Sequence, residues 1–264
     1  MIRLILPWIL PYRVSSTLLA VGDRYAQYCR FKSSHVPAVT RVFEAEWGLK
    51  VRHGPFHGMR YPSRNAYSRH AIPKLLGSYE QELHPALNRL LSDKTFHRFV
   101  DIGSAEGYYS IGFALATGIP VYAFEIDPFE RHYTKLMARV NRVEHLLHLK
   151  GWCSPAVIEH ICQDRSFILA DCEGFEMRLF TPSVATSLYH SDLIIELHPT
   201  GQEDSISHLL ERFSATHDIE LVTSRPRFAR DFPDLTRLRL LDDRLVNEYR
   251  QVGQQWAIMT AKLN

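Results

Sequence analysis

The strongest constraint on this chain is a regular alternation that begins after residue 95. Seven apolar, β-rich runs (97–103, 121–127, 145–151, 166–172, 191–198, 218–224 and 254–260) are interspersed with amphipathic stretches such as 128–143 and 205–217. Strands that are apolar along nearly their whole length, alternating with helices, build a parallel sheet covered on both faces. The expected fold is α/β, a doubly wound, mostly parallel seven-stranded sheet. The last two runs lack a clear helix between them, so an antiparallel pairing is expected at one edge. With 264 residues, 45% of them hydrophobic, the chain can bury a sizeable core, which excludes disordered, collagen-like and disulfide-scaffold classes.

Residues 1–95 read differently from residues 96–264, and the chain divides there into an N-terminal cap or substrate region and a ligand-binding sheet domain. Net charge is +2 overall, but it is unevenly spread. Residues 1–95 hold 14 Lys and Arg against 6 Asp and Glu, a net of +8; the rest holds 17 against 23, a net of −6. The near-neutral sum argues against a protein that coats nucleic acid. The basic front predicts an anionic acceptor or carrier. MIRLILPWILPY is too short to span a bilayer, which takes about 20 apolar residues, and Pro7 and Pro11 interrupt it. It is expected to pack as a strap, with peripheral membrane contact as the alternative. Cys29, Cys153, Cys162 and Cys172 form no CxxC pair, which points to a reducing, cytoplasmic setting.

Within the front region, HGPFHGMRYPS (53–63) reads as a loop, so the His53/His57 spacing is not a zinc site. Residues 77–91 read as a helix with Ser78 and Gln81 as a capping box and Leu83, Leu87, Leu90 and Leu91 as its apolar face. Tyr79 and Glu80 then belong to a capped surface helix, with a reach to ligand as the alternative.

Ligands of open α/β sheets sit beyond the carboxyl ends of the strands. The first strand ends in FVDIGSAEGYYSIGFA (99–114), a strand–turn–helix passage with Asp101, Gly103, Ser104, Gly107 and Tyr108 around the turn. Ala105 breaks a GxGxxG fingerprint. A carboxylate before the first Gly suits an ammonium-bearing ligand such as S-adenosylmethionine better than a pyrophosphate. Glu125 follows 24 residues after Asp101, where an acid can accept ribose hydroxyls. Asp127 is either a second ligand group or the cap of the helix opened by Pro128. Trp152 and Cys153, after the third run, are candidates for an adenine wall.

The fourth run enters ADCEGFE, with Asp171, Glu173 and Glu176. A carboxylate at that strand end can act as a base, position a hydroxyl or bind a cation. Glu196 and His198 share one face of the fifth run, and a buried Glu196 needs a partner. Asp171 or His198 is the candidate base, with Glu173 beside them. Asp171, Glu196 and His198 together could hold Mg²⁺ or Mn²⁺.

These motifs resemble the FkbM family of S-adenosylmethionine-dependent methyltransferases. D-x-G…G-Y-Y matches Asp101, Gly103, Gly107, Tyr108 and Tyr109. F-E-x-x-P matches Phe124, Glu125 and Pro128. D-x-E-G-x-E matches Asp171, Glu173, Gly174 and Glu176, and E-x-H matches Glu196 and His198. The resemblance covers about residues 97–200. Ser104-Ala105-Glu106 departs from the family's usual Ala-Asn, and Glu106 is expected to alter contacts at the cofactor's methionine end. GPFHGM (54–59) and LLGSYEQEL (75–83) also look like segments that precede the core in some members. The resemblance implies a class I, Rossmann-like methyltransferase sheet and O-methylation of a sugar, glycan or small natural product. Alternatives are an NAD-type oxidoreductase, which shares the acid on the second strand, and a nucleic-acid methyltransferase. The latter is disfavoured because the fourth strand ends in D-C-E-G and not in Asn/Asp-Pro-Pro-aromatic. A binding module that kept the fold and lost activity is a further alternative.

Overall fold

The structure, a computed structural model, describes residues 36–62, 71–198, 204–248 and 253–262. The N-terminal apolar segment, with Cys29, lies outside the described residues. Seven strands form one sheet: β1 (Arg98–Ile102), β2 (Val121–Phe124), β3 (Leu147–Lys150), β4 (Ser166–Ala170), β5 (Asp192–Leu197), β6 (His217–Thr223) and β7 (Gln255–Ala261). Their order is β3-β2-β1-β4-β5-β7-β6. β7 slots between β5 and β6 and runs antiparallel to both; the other pairings are parallel. The expected doubly wound sheet is therefore present, and the antiparallel pairing of the last two strands with it. Every residue of β4 and β5 is buried, as central strands covered on both faces must be.

Strand alternation sorts the core into two hydrophobic clusters, one on each face. Phe99, Phe167, Leu169, Ile194 and Trp256 belong to the first. Val100, Ile168, Leu193, Ile195 and Met259 belong to the second. Helices α1 (Val36–Trp47), α2 (Ala71–Leu76) and α3 (His84–Ser92) contribute to the first cluster, together with α4 (Tyr108–Thr117) and α5 (Pro128–Asn141). The second face is covered by α6 (Pro155–Ile161), α7 (Glu176–Leu179), α8 (Pro182–Ser187) and α9 (Ser205–Ser214). A short α10 (Pro233–Arg237) adds Leu235 to the first cluster. No helix among the described residues is long and apolar enough to cross a membrane.

The helix expected over 77–91 starts later. Pro85 lacks an N–H, so a helix opened at residue 79 would lose a backbone bond in its interior; the proline fits only in a first turn. α3 accordingly begins at His84, and Ser78 Oγ is buried without a hydrogen bond and caps nothing. Residues 77–80 instead form a tight connection pressed against the 51–61 loop. A Cβ on Gly77, at φ +82°, would stand 2.0 Å from the His53 carbonyl oxygen. Glu80 follows in the left-handed region at φ 47°.

Candidate functional site

The turn after β1 is locked to β4 through backbone atoms. Asp171 N–H donates to the Ile102 carbonyl at 2.9 Å, and a Cβ on Gly103, at φ +86°, would lie 1.7 Å from the Asp171 carbonyl oxygen. Only glycine can stand there. Gly103 and Ser104 N–H groups donate to the Phe124 carbonyl at 2.8 and 3.1 Å, tying the turn to β2 as well. Gly107, at φ +93°, opens α4 against Thr134. Asp101 is fully buried behind this turn. Ser110 Oγ donates to its Oδ2, while Oδ1 accepts no hydrogen bond. Burial pushes the Asp101 carboxyl up to about 7, and the Asp171 and Glu125 charges add to that rise. Ser104 Oγ is likewise buried without a hydrogen bond. Polar atoms buried in this way are costly unless a ligand or water meets them.

Glu125, just beyond β2, stands beside the same turn. Its Oε2 accepts from Ala105 N–H at 2.9 Å and its Oε1 from Asp127 N–H at 2.7 Å. Carboxylate oxygens have further lone pairs for ligand hydroxyls. Asp127 is the N-cap of α5, with Oδ1 accepting from Phe129 N–H at 2.8 Å. Ile126 and Trp152 are exposed at this end of the sheet, at 71% and 57%, and Trp152 packs edge-on to Phe175 at 4.9 Å. Cys153 does not share that exposure. It is buried in the second core cluster, and burial pushes its thiol up to about 12.

At the ends of β4 and β5, four carboxylates surround His198. Glu176 Oε1 is 2.9 Å from His198 Nδ1 and also accepts from Cys172 and Gly174 N–H groups. It closes the 171–176 turn and orients the imidazole. His198 Nε2 lies 3.5 Å from Glu196, 3.7 Å from Asp171 and 3.8 Å from Glu173. The Glu176 bond, with the Asp171, Glu176 and Glu196 charges, raises the His198 imidazole to about 9. Glu196 thus has the partner its burial requires. Glu173 points outward, its side chain 89% exposed, with its backbone left-handed at φ 54°. Asp171, Glu196 and His198 each offer a ligand atom within 4.8 Å of the others, close enough to share a cation.

A cavity of about 450 Å³, counting its open mouth, joins these strand ends to the front region. Ser104, Asp171 and Glu196 line the sheet side; Leu169, Ile194 and Trp256 line its floor. Lys74, Tyr79, Glu80 and Leu83 come from the front, and Tyr108 and Tyr109 from α4. Tyr79 and Glu80 are buried, at 9% and 3% exposure, which corrects the reading of them as a surface helix. Tyr109 donates its hydroxyl proton to Glu80 Oε2. Glu106 turns away from the turn's ligand side and forms a buried ion pair with Lys74, with Tyr61 OH at 3.4 Å. Lys74 and Trp256 were missed from sequence. A lysine inside the apolar run AIPKLL was the available signal for the first. Trp256 comes opposite Glu196 only through the β5–β7 pairing.

No family model and no curated protein matches the chain. Among solved structures it is similar to the O-methyltransferase TomG from Streptomyces achromogenes, solved with S-adenosylmethionine, at 13% identity and TM-score 0.48, over 84% of this chain and 96% of that one. It is similar to an rRNA methylase from Streptococcus thermophilus at 12% and 0.45, over 69% and 97%. A precorrin-6y C5,15-methyltransferase from Geobacter metallireducens aligns at 12% and 0.42, over 67% and 87%. Likenesses this distant determine neither the reaction nor the acceptor.

Proposed function

We propose that the protein is an S-adenosylmethionine-dependent methyltransferase of FkbM type that methylates a hydroxyl of a small molecule or glycan. The observation that carries this reading is the turn after β1. Two buried polar atoms, Asp101 Oδ1 and Ser104 Oγ, lack hydrogen bonds beside a glycine that leaves no room for a side chain, with Glu125 at the neighbouring strand end. That donor set fits this cofactor. Asp101 would meet its ammonium, with Gly103, Ser104, Gly107 and Tyr108 shaping the methionine end. Glu125 would accept from the ribose hydroxyls, and Ile126 and Trp152 would flank the adenine. Asp127 and Cys153 support that end as helix cap and core. A buried acid at this turn is a poor host for the pyrophosphate of a dinucleotide.

When bound, the cofactor supplies a methyl group on a sulfonium, so the protein must chiefly align the acceptor and take its proton. We assign the proton to Asp171, because it lines the cavity and His198 does not. An imidazole that keeps its proton up to about pH 9 serves better as the cation that holds Asp171 and Glu196 in place. Asp171 and Glu196, with His198 once its Nε2 gives up its proton, are also the groups that would hold Mg²⁺ or Mn²⁺, which would take over from the imidazolium as counter-charge and lower the pKa of the acceptor hydroxyl. Titration calorimetry with S-adenosylhomocysteine and with NAD⁺ tests the reading: the first should bind one-to-one and the second should not. Binding of NAD⁺ alone would transfer the site to the oxidoreductase class.

A further inference from the structure

The cavity wall holds more hydrogen-bond donors than the protein itself uses. Lys74 is buried in it, and its Nζ donates one N–H to Glu106. Among the described residues that is its one acceptor; its other polar neighbours are the rings of Tyr79 and Tyr108, with centres 4.7 and 5.6 Å away. An ammonium carries three N–H groups, so two are left over. The Tyr108 hydroxyl, in the same lining, makes no hydrogen bond with any described residue. Burial, with the Glu80, Glu248 and Glu106 charges, pushes its pKa up, so it keeps its proton. Ser104 Oγ, also in the lining, is buried without a hydrogen bond. The acids of the lining are engaged elsewhere: Glu80 accepts from Tyr109, and Asp171 and Glu196 face His198 at 3.7 and 3.5 Å. Donors left unmet in a buried wall are costly. Glu106 supplies the counter-charge a buried lysine needs and fixes where its remaining N–H groups stand. A neutral carbonyl or hydroxyl oxygen accepts about two hydrogen bonds, whereas a carboxylate accepts about four. Two lysine N–H groups and two hydroxyls match the carboxylate, and bonds to an ionised acceptor are the stronger kind.

We propose that Lys74, held by Glu106, forms with Ser104 and Tyr108 a subsite for a carboxylate. This rests on the methyltransferase reading. Two molecules could bring the group: the cofactor, through the amino-acid end which that reading seats at the same turn, or the acceptor. Two ligand pairs, titrated calorimetrically into the full chain, separate them. The first is S-adenosylhomocysteine against 5′-S-(3-aminopropyl)-5′-thioadenosine, which keeps the amine and lacks the carboxylate. The second is 4-hydroxybenzoate against 4-hydroxybenzamide, added to protein already loaded with S-adenosylhomocysteine. At least one carboxylate should bind at least tenfold more tightly than its uncharged counterpart. Preference in the first pair assigns the subsite to the cofactor, and preference in the second alone assigns it to the acceptor. Lys74→Met combined with Glu106→Gln removes both charges, leaves neither partner buried alone, and should cut that ratio below threefold. Tyr108→Phe keeps the ring, loses one donor and should lower the ratio as well, which covers the case that the double variant does not fold. No carboxylate preference in either pair, or a ratio unchanged in both variants, would overturn the proposal. If neither S-adenosylhomocysteine nor its aminopropyl analogue binds, the methyltransferase reading falls and this inference with it. If they bind and no carboxylate is preferred, this inference alone falls.

Discussion

Asp101→Asn separates the cost of the proposed cofactor site from its use. A fully buried carboxyl that releases its proton near pH 7, against 3.8 ordinarily, penalises the folded state by roughly 4 kcal/mol once ionised. The sign follows from the raised value. Below about pH 4 folded and unfolded chains both hold the proton and no penalty exists; it grows from there and is complete above pH 7. Asparagine removes the charge but leaves an amide N–H₂ in a place that offers Ser110 Oγ and little else, at a cost of about 1–3 kcal/mol. The variant should therefore be about 1–3 kcal/mol more stable than the wild type at pH 8, or roughly 2–10 °C in Tm. At pH 4.5 the wild-type penalty shrinks to about 1 kcal/mol, so the variant should be no more stable there. Affinity for S-adenosylhomocysteine should fall at least tenfold at pH 8, since the ammonium loses its counter-charge. Thermal melts at the two pH values and calorimetry at pH 8 suffice. A variant less stable than wild type at pH 8, or a difference that does not change with pH, refutes the reasoning.

Other substitutions probe the remaining parts. Glu176→Gln removes the main cause of the raised His198 imidazole, so its NMR titration midpoint should fall from about 9 towards the ordinary histidine value; an unmoved midpoint would contradict the geometry. Gly103→Ala brings a Cβ within 1.7 Å of the Asp171 carbonyl and forces a side chain into the left-handed region. It should cost at least about 2 kcal/mol in denaturant melts and abolish S-adenosylhomocysteine binding. Gly112→Ala would place a methyl 2.4 Å from the Phe56 ring and should cost about 1–3 kcal/mol by overpacking, measurable in the same melts.

Much of the sheet was legible because β4 and β5 are buried at every position, which leaves an apolar run with no competing periodicity. The strand-end acids were legible because a carboxylate inside or directly after such a run breaks its apolar pattern, whether it ends up buried, as Asp101 and Glu196 do, or not. Contacts between distant segments were not. Lys74 meets Glu106 across 32 residues, and Glu80 meets Glu248 across 168. No local pattern encodes either. The 77–91 segment misled because its leucine spacing is helical throughout, while Pro85 alone decides where the helix can begin. The charge split located less than its size suggests. Of the fourteen basic residues in 1–95, seven lie outside the described residues, and of the other seven only Lys74 lines the cavity, paired with an acid. A sum along the sequence carries no direction, so it does not say which of these charges face the cavity.

The central claim is that the turn after β1 and Glu125 form one cofactor site. A crystal structure of the protein with S-adenosylhomocysteine tests it most directly. The account predicts the ligand's amino group within hydrogen-bond distance of Asp101 Oδ1 and its ribose hydroxyls on Glu125. Density for the ligand elsewhere, or bound with neither carboxylate engaged, would contradict it.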